Sequence, residues 1–171
     1  DLAADYYREQ AGRIILPADD EARARGCAAA VHDWHARWVE AGNAPLLGGL
    51  TEQSIAWVDD ETGLYCRGRI DAVSPDQSVW LDLKTTGDAE AFGRHAGNFC
   101  YPEQAAHYLD GYRALTGQDA TPRWAWLVVE VDPPHGVQLF WASPELLARA
   151  KRRRRIALER ILDVLTRPDA E

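Results

Sequence analysis

Two aspartates and a lysine are the residues in this chain best placed to do chemistry. They fall within IDAVSPDQSVWLDLKTT, residues 70 to 86, with Asp71 and Asp82 on two adjoining predicted strands and Lys84 two places beyond the second carboxylate. Alternate residues of a strand share a face, so Asp82 and Lys84 point the same way while Leu81 and Leu83 are expected in the core. A four-residue turn over 75–78 pairs Ser74 with Val79, and counting back sets Asp71 opposite Asp82. Opposed residues have Cβ atoms roughly 4.5–5.5 Å apart, where like charges repel. A cation between them turns that repulsion into binding. Mg²⁺ takes oxygen ligands at about 2.0–2.1 Å, commonly one or two carboxylates, waters and a substrate phosphate. Asp71 and Asp82 supply the carboxylates, the carbonyl of Leu83 offers a third oxygen, and Mn²⁺ would serve in place of Mg²⁺. Lys84 beside the ion would position or deprotonate a water, or stabilise charge developing on phosphorus. The plainer reading of Asp82 and Lys84 is a solvated surface hairpin.

The elements that must position these groups are legible in outline. Residues 1–11 read as a short helix ending at Gly12, and RIIL (13–16) as an extended segment closed by Pro17. Asp19 and Asp20 open a long helix with acidic residues in its first turn, as the helix dipole favours. Three strands follow, at 52–58, 64–73 and 78–86, separated by the turn-rich DDETG and SPDQ. FGRHAGNFC is irregular or partly helical. Tyr101-Pro102 starts a helix that runs to about Thr116 and stops at Gly117. WAWLVVEV and GVQLFWA are two more strands joined by DPPH, and Ser143-Pro144-Glu145 caps a last long helix carrying KRRRR. The order α–(β)–α–βββ–α–ββ–α implies an α/β (α+β) fold, a central mixed sheet flanked by helices.

The 171 residues suit one domain, 1–171, with 46% apolar and 27% charged residues. No apolar run approaches a membrane span, and the first residues lack the basic-then-apolar layout of a signal peptide. It contains no Met and begins at Asp1, so an upstream part of the domain is expected to be missing. Cys27, Cys66 and Cys100 lack metal or disulfide spacing and read as free thiols in a reducing, cytoplasmic setting. The net charge of −8 is uneven: residues 149–171 hold eight Lys/Arg against four Asp/Glu. An acidic body with a basic end is compatible with DNA when a cation neutralises the acidic site.

GRIDAV, WLDLKTT and QAAHYLDGYRALTG together resemble the ordered motifs of the PD-(D/E)xK nuclease superfamily, nearest its RecE-like (exodeoxyribonuclease VIII) and RecB-like branch. There a G-x-x-D strand precedes a D-x-K strand and a helix bearing Q-x-x-x-Y. The resemblance places Asp71, Asp82 and Lys84 in the catalytic set, with Gln104 and Tyr108 on the helix. Those two are four apart and share a helix face, within range of a phosphate, Lys84 or a metal-bound water; Tyr108 as plain core is the alternative. Glu52 resembles an additional acidic ligand of the family, or is an ordinary edge glutamate. The family's small-x-x-His helical motif, upstream of the first strand, is expected to be absent, with His32 and His35 read as helix-face residues.

The resemblance implies a Mg²⁺-dependent nuclease, most specifically a 5′–3′ exonuclease acting on double-stranded DNA ends in recombination or phage DNA processing. A ring-shaped tetramer and a single-strand annealing partner protein come with that branch. The alternatives are a RecB-like single-strand nuclease or endonuclease and a catalytically silent DNA-binding module. Arg67 and Arg69 alternate with Gly68 on the expected face of Asp71 and would guide a phosphodiester. Lys151 and Arg152 are the first of five consecutive basic residues, of which two or three could follow a phosphate track; a solvated helix end is the other reading. The seven Trp read as packing.

Overall fold

The computed structural model describes residues 17–167; the short helix expected over 1–11 and the RIIL segment lie outside the described residues. Helix α1 is Ala18–Glu40, with Asp19, Asp20 and Glu21 in its first turn and Arg37 in its last. Strands β1 (Thr51–Val58), β2 (Tyr65–Val73) and β3 (Val79–Thr86) follow. Helices α2 (Phe92–Asn98) and α3 (Tyr101–Thr116) lead to β4 (Arg123–Glu130), β5 (Val137–Trp141) and helix α4 (Pro144–Leu165). FGRHAGNFC is thus mostly the ordered helix α2.

The five strands lie in chain order in one mixed sheet. β1, β2 and β3 form an antiparallel meander, β4 runs parallel to β3, and β5 returns antiparallel to β4. The parallel β3–β4 step needs a crossover, and α2 and α3 supply it. This brings the helix bearing Gln104 and Tyr108 back over the strands bearing the aspartates. Pro102 in the first turn of α3 and Gly117 in the left-handed region at its end (φ 67°) set that helix's length. Ser143 caps α4 by accepting the N–H of Leu146 at 3.2 Å.

Each face of the sheet has its own core. Ile70, Val73, Trp80, Trp124, Trp126 and Val128 pack with Phe92, Ala105 and Leu109 of α2 and α3. Val79, Leu81, Ala125, Leu127 and Val129 pack with Cys27 and Val31 of α1. Trp57, Trp80, Trp124 and Trp126 are all buried, in line with their reading as packing. Leu83 differs from expectation: it is 47% exposed, because the α1 side of β3 opens into a cleft at this point rather than being covered.

Candidate active site

Asp71 sits where the regular sheet breaks down. β2 and β3 pair at Val73↔Trp80 and Ala72↔Leu81, in the register the turn predicts, and Ser74 N–H donates to Val79 O at 2.9 Å. Continuing that register puts Asp71 opposite Asp82, but the paired ladder stops at Ala72. Instead the Asp71 carboxylate accepts the backbone N–H of Leu83 at 2.8 Å. On the other side of β2, Glu52 takes a left-handed conformation (φ 54°) between the pairs Thr51↔Ala72 and Gln53↔Ile70. The two-residue alternation slips here too: Ile70 and Val73, three apart, share one core, while Ala72 packs in the other. The strands therefore part at the acidic pair, exposing backbone that a continuous ladder would consume.

Asp82 is buried, with 2% of its surface exposed. Its Oδ2 lies 2.5 Å from Lys84 Nζ, yet this oxygen has no partner of hydrogen-bond geometry among the described residues. Gln104 Nε2 approaches Oδ1 at 3.4 Å, Gln104 Oε1 accepts from Lys84 Nζ at 3.5 Å, and Gln104 Nε2 reaches Tyr108 Oη at 3.5 Å. Burial pushes the Asp82 carboxyl up; the Lys84 ammonium opposes this, and the Asp71 carboxyl, within hydrogen-bonding reach, adds to the rise. Like charges and desolvation both favour the proton here. Tyr101 completes the enclosure, with the Lys84 ammonium 4.5 Å from its ring centroid.

The glycine of GRID has a steric reason. A Cβ at Gly68 would lie 2.4 Å from Tyr108 Cε1, so the phenol ring lies directly against the β2 backbone. Only glycine permits that approach without displacement.

The structure thus brings together Asp71, Asp82, Lys84, Gln104 and Tyr108, with Leu83 between the acid and the lysine. It does not gather the remaining expected residues at the same point. Glu52 lines a cleft with Asp71 and Leu83, but its carboxylate is held by Arg69 at 2.5 Å. Among the described residues no three His, Cys, Asp or Glu side chains cluster as a metal site. Arg67 and Arg69 are exposed, and they alternate with Gly68, which faces Tyr108. Arg69 pairs with Glu52, which lines the cleft of Asp71 and Leu83. Lys151 lies 3.5 Å from Asp110, and Arg152 is exposed without an ion pair among the described residues.

The rest of the basic run is structural. Arg154 is buried and binds Asp59 and Asp110, each at 3.0 Å, and donates to His107 Nδ1 at 3.1 Å. Arg155 also binds Asp59, at 2.7 Å. Burial alone would push the Asp59 carboxyl up, but hydrogen bonds from Arg155, Thr62 and Arg154 hold it far below the usual range.

A small-x-x-His spacing is nevertheless present on α1. Residues 29–32 read Ala-Ala-Val-His on α1, which is small-x-x-His spacing on a helix ahead of β1. His32 lines a cleft of about 610 Å³ together with Val31, Leu47 and Leu83. His35 has a different task, accepting the N–H groups of Leu46 and Leu47 at 3.0 and 3.1 Å. The spacing is visible in the sequence, where such a motif was expected to be absent.

Residues 10–169 match a family described as a PDDEXK-like domain of unknown function (DUF3799). The chain belongs to this family. Among solved structures, it resembles one from Eubacterium rectale described as a "putative exonuclease", at 15% sequence identity and a TM-score of 0.64. The match covers 93% of this chain and 60% of that one, which establishes the shared fold. No curated protein matches the chain in sequence. The PD-(D/E)xK resemblance drawn from GRIDAV and WLDLKTT therefore holds at the level of both family and fold. No helix among the described residues is long and apolar enough to cross a membrane.

Proposed function

We propose that this protein is a divalent-metal-dependent nuclease that hydrolyses DNA phosphodiester bonds. The observation that carries the proposal is the buried Asp82 carboxylate, paired with Lys84 and set beside the Asp71 carboxylate where β2 and β3 separate. Two neighbouring carboxylates, one of them buried, cost free energy beside a single ammonium unless a further cation or a proton satisfies them. Asp71 and Asp82, with the Leu83 carbonyl, are the residues that would hold Mg²⁺ or Mn²⁺, and His32 stands at the adjoining cleft as the family's further metal or substrate contact. Such an ion, when bound, would polarise the phosphate and acidify a water.

The chain's own groups do the rest. Lys84, which lies against Asp82, would offer its ammonium to a water or to a phosphoryl oxygen once a divalent ion holds that carboxylate. Gln104 spans Asp82, Lys84 and Tyr108, and so fixes where that ammonium points. Arg67, Lys151 and Arg152 are left to attract the DNA backbone outside the site, a positioning role.

The RecE-like resemblance extends the proposal to 5′–3′ exonuclease action on double-stranded ends in recombination or phage DNA processing. With it come a ring-shaped tetramer working beside a single-strand annealing protein, and a cytoplasmic location suited to three free thiols. The test uses linear duplex labelled at either end and closed circular duplex, each with Mg²⁺, with EDTA and with Asp82→Ala. Metal-dependent loss of linear DNA alone, beginning at the 5′ end, is expected. Cleaved circles would show an endonuclease, and intact DNA in every lane would leave a binding module.

A further inference from the structure

A line of aromatic rings leads from the lysine to the surface. Lys84 Nζ sits over the Tyr101 ring, and that ring stacks with Phe99 at 5.7 Å between centroids and 24° between planes. Tyr101 is anchored on its inner side by buried Phe92, 6.0 Å away and also stacked. Phe99 itself is 66% exposed. It caps the short α2–α3 junction, where Cys100 adopts a left-handed conformation (φ 56°) that turns the chain straight into Tyr101 and α3. A non-glycine residue in that region costs free energy, and such strain concentrates where a site needs a particular side-chain placement. Phe99 is thus the exposed end of a stack whose other neighbour is the lysine of the site.

We propose that Phe99 is a stacking platform for a nucleobase of the DNA strand being cut, at the nucleotide next to the phosphate that Lys84 attends. The base must have left the duplex stack to expose its face, so the substrate class is a frayed or single-stranded terminus. The geometry favours a nucleobase because the exposed ring continues a parallel stack already two rings deep, and every base has a π-face to extend it. The inference rests on the nuclease reading for its position, but it concerns binding and is testable without cleavage.

The experiment is a cycle between protein and DNA. Short single strands carrying either a normal or an abasic terminal nucleotide are titrated by fluorescence anisotropy, in EDTA, against the wild-type protein, Phe99→Ala and Phe99→Trp. The same substrates are then digested with Mg²⁺. Stacking on an aromatic ring predicts that wild type binds the base-bearing strand roughly 5- to 150-fold more tightly than the abasic one. Phe99→Ala loses that preference, and Phe99→Trp keeps it. In digestion the same preference appears in KM, with kcat little changed. Independent, additive losses from Phe99→Ala and from base removal would overturn the proposal, as would an absence of DNA binding. A protein that binds with the expected preference but never cleaves would refute the nuclease reading and leave the platform standing.

Discussion

The Asp71 carboxylate accepts the Leu83 N–H at 2.8 Å, so a proposed metal ligand on one strand holds the backbone of the next strand between its two catalytic residues. This contact separates structural from catalytic roles at one position. Asp71→Asn keeps an oxygen acceptor for Leu83 and should change stability by less than about 1 kcal/mol. Its nuclease activity should nevertheless fall by more than roughly 100-fold, the scale of losing one electrostatic stabiliser. Thermal melts beside digestion rates check this; an active Asp71→Asn protein would remove Asp71 from the ligand set.

Asp82 predicts a pH signature. Its carboxyl is raised by burial and by Asp71, against the pull of Lys84. A raised carboxyl contributes stability that is present below its unfolded pKa and lost as pH rises through the folded value. In metal-free buffer, Asp82→Asn should therefore melt close to wild type near pH 4 and above it as pH increases. Mg²⁺ should raise the melting temperature of wild type alone, by about 2.7 kcal/mol of stabilisation at a hundred times Kd. Melting curves from pH 4 to 8, with and without Mg²⁺, test both halves.

Why some of this was legible and some not follows from the range of the interactions. The hairpin register came from local turn chemistry: Asp76 accepts from Ser74 and Ser78, which ties the turn to Val79. Gln104 and Tyr108 were readable because helical spacing puts them on one face. The basic run was not, since Arg154 and Asp59 are 95 residues apart and no periodicity announces a buried ion pair. The Glu52–Arg69 pair was not legible either: it depends on a left-handed residue inside a strand, which sequence pattern does not disclose. Leu83 was assigned to the core by alternation, but what covers a strand face is decided by where α1 lies.

Gly68 and Tyr108 form a steric pair whose coupling can be measured. Gly68→Ala drives a methyl into the Tyr108 ring, and overpacking of this kind costs about 1–3 kcal/mol. Activity should drop as Tyr108 and its neighbour Gln104 are displaced. The double variant Gly68→Ala/Tyr108→Ala should be more stable than the sum of the single losses predicts, because the clash is gone. Additive stabilities by urea denaturation would mean that the ring does not need the glycine.

Arg152 and Arg154, two places apart on α4, should behave in opposite ways. Arg154→Met removes the one arginine shared by Asp59 and Asp110, leaving Asp59 to Arg155 and Thr62 and Asp110 to Arg113 and Lys151, and removing one partner of a buried ion pair costs about 3–5 kcal/mol. Arg152→Ala should leave stability within about 0.5 kcal/mol while weakening DNA binding and flattening its salt dependence by up to one phosphate contact. Asp59 adds a pH test of the same cluster. Its depressed carboxyl contributes stability present above its unfolded pKa and lost as pH falls toward the folded value. Asp59→Asn should therefore be destabilised most at neutral pH, with the gap to wild type narrowing below about pH 4. Urea titrations at pH 7 and pH 3 measure that gap directly, and an equal difference at both would remove the arginine clamp as the reason these basic residues are here.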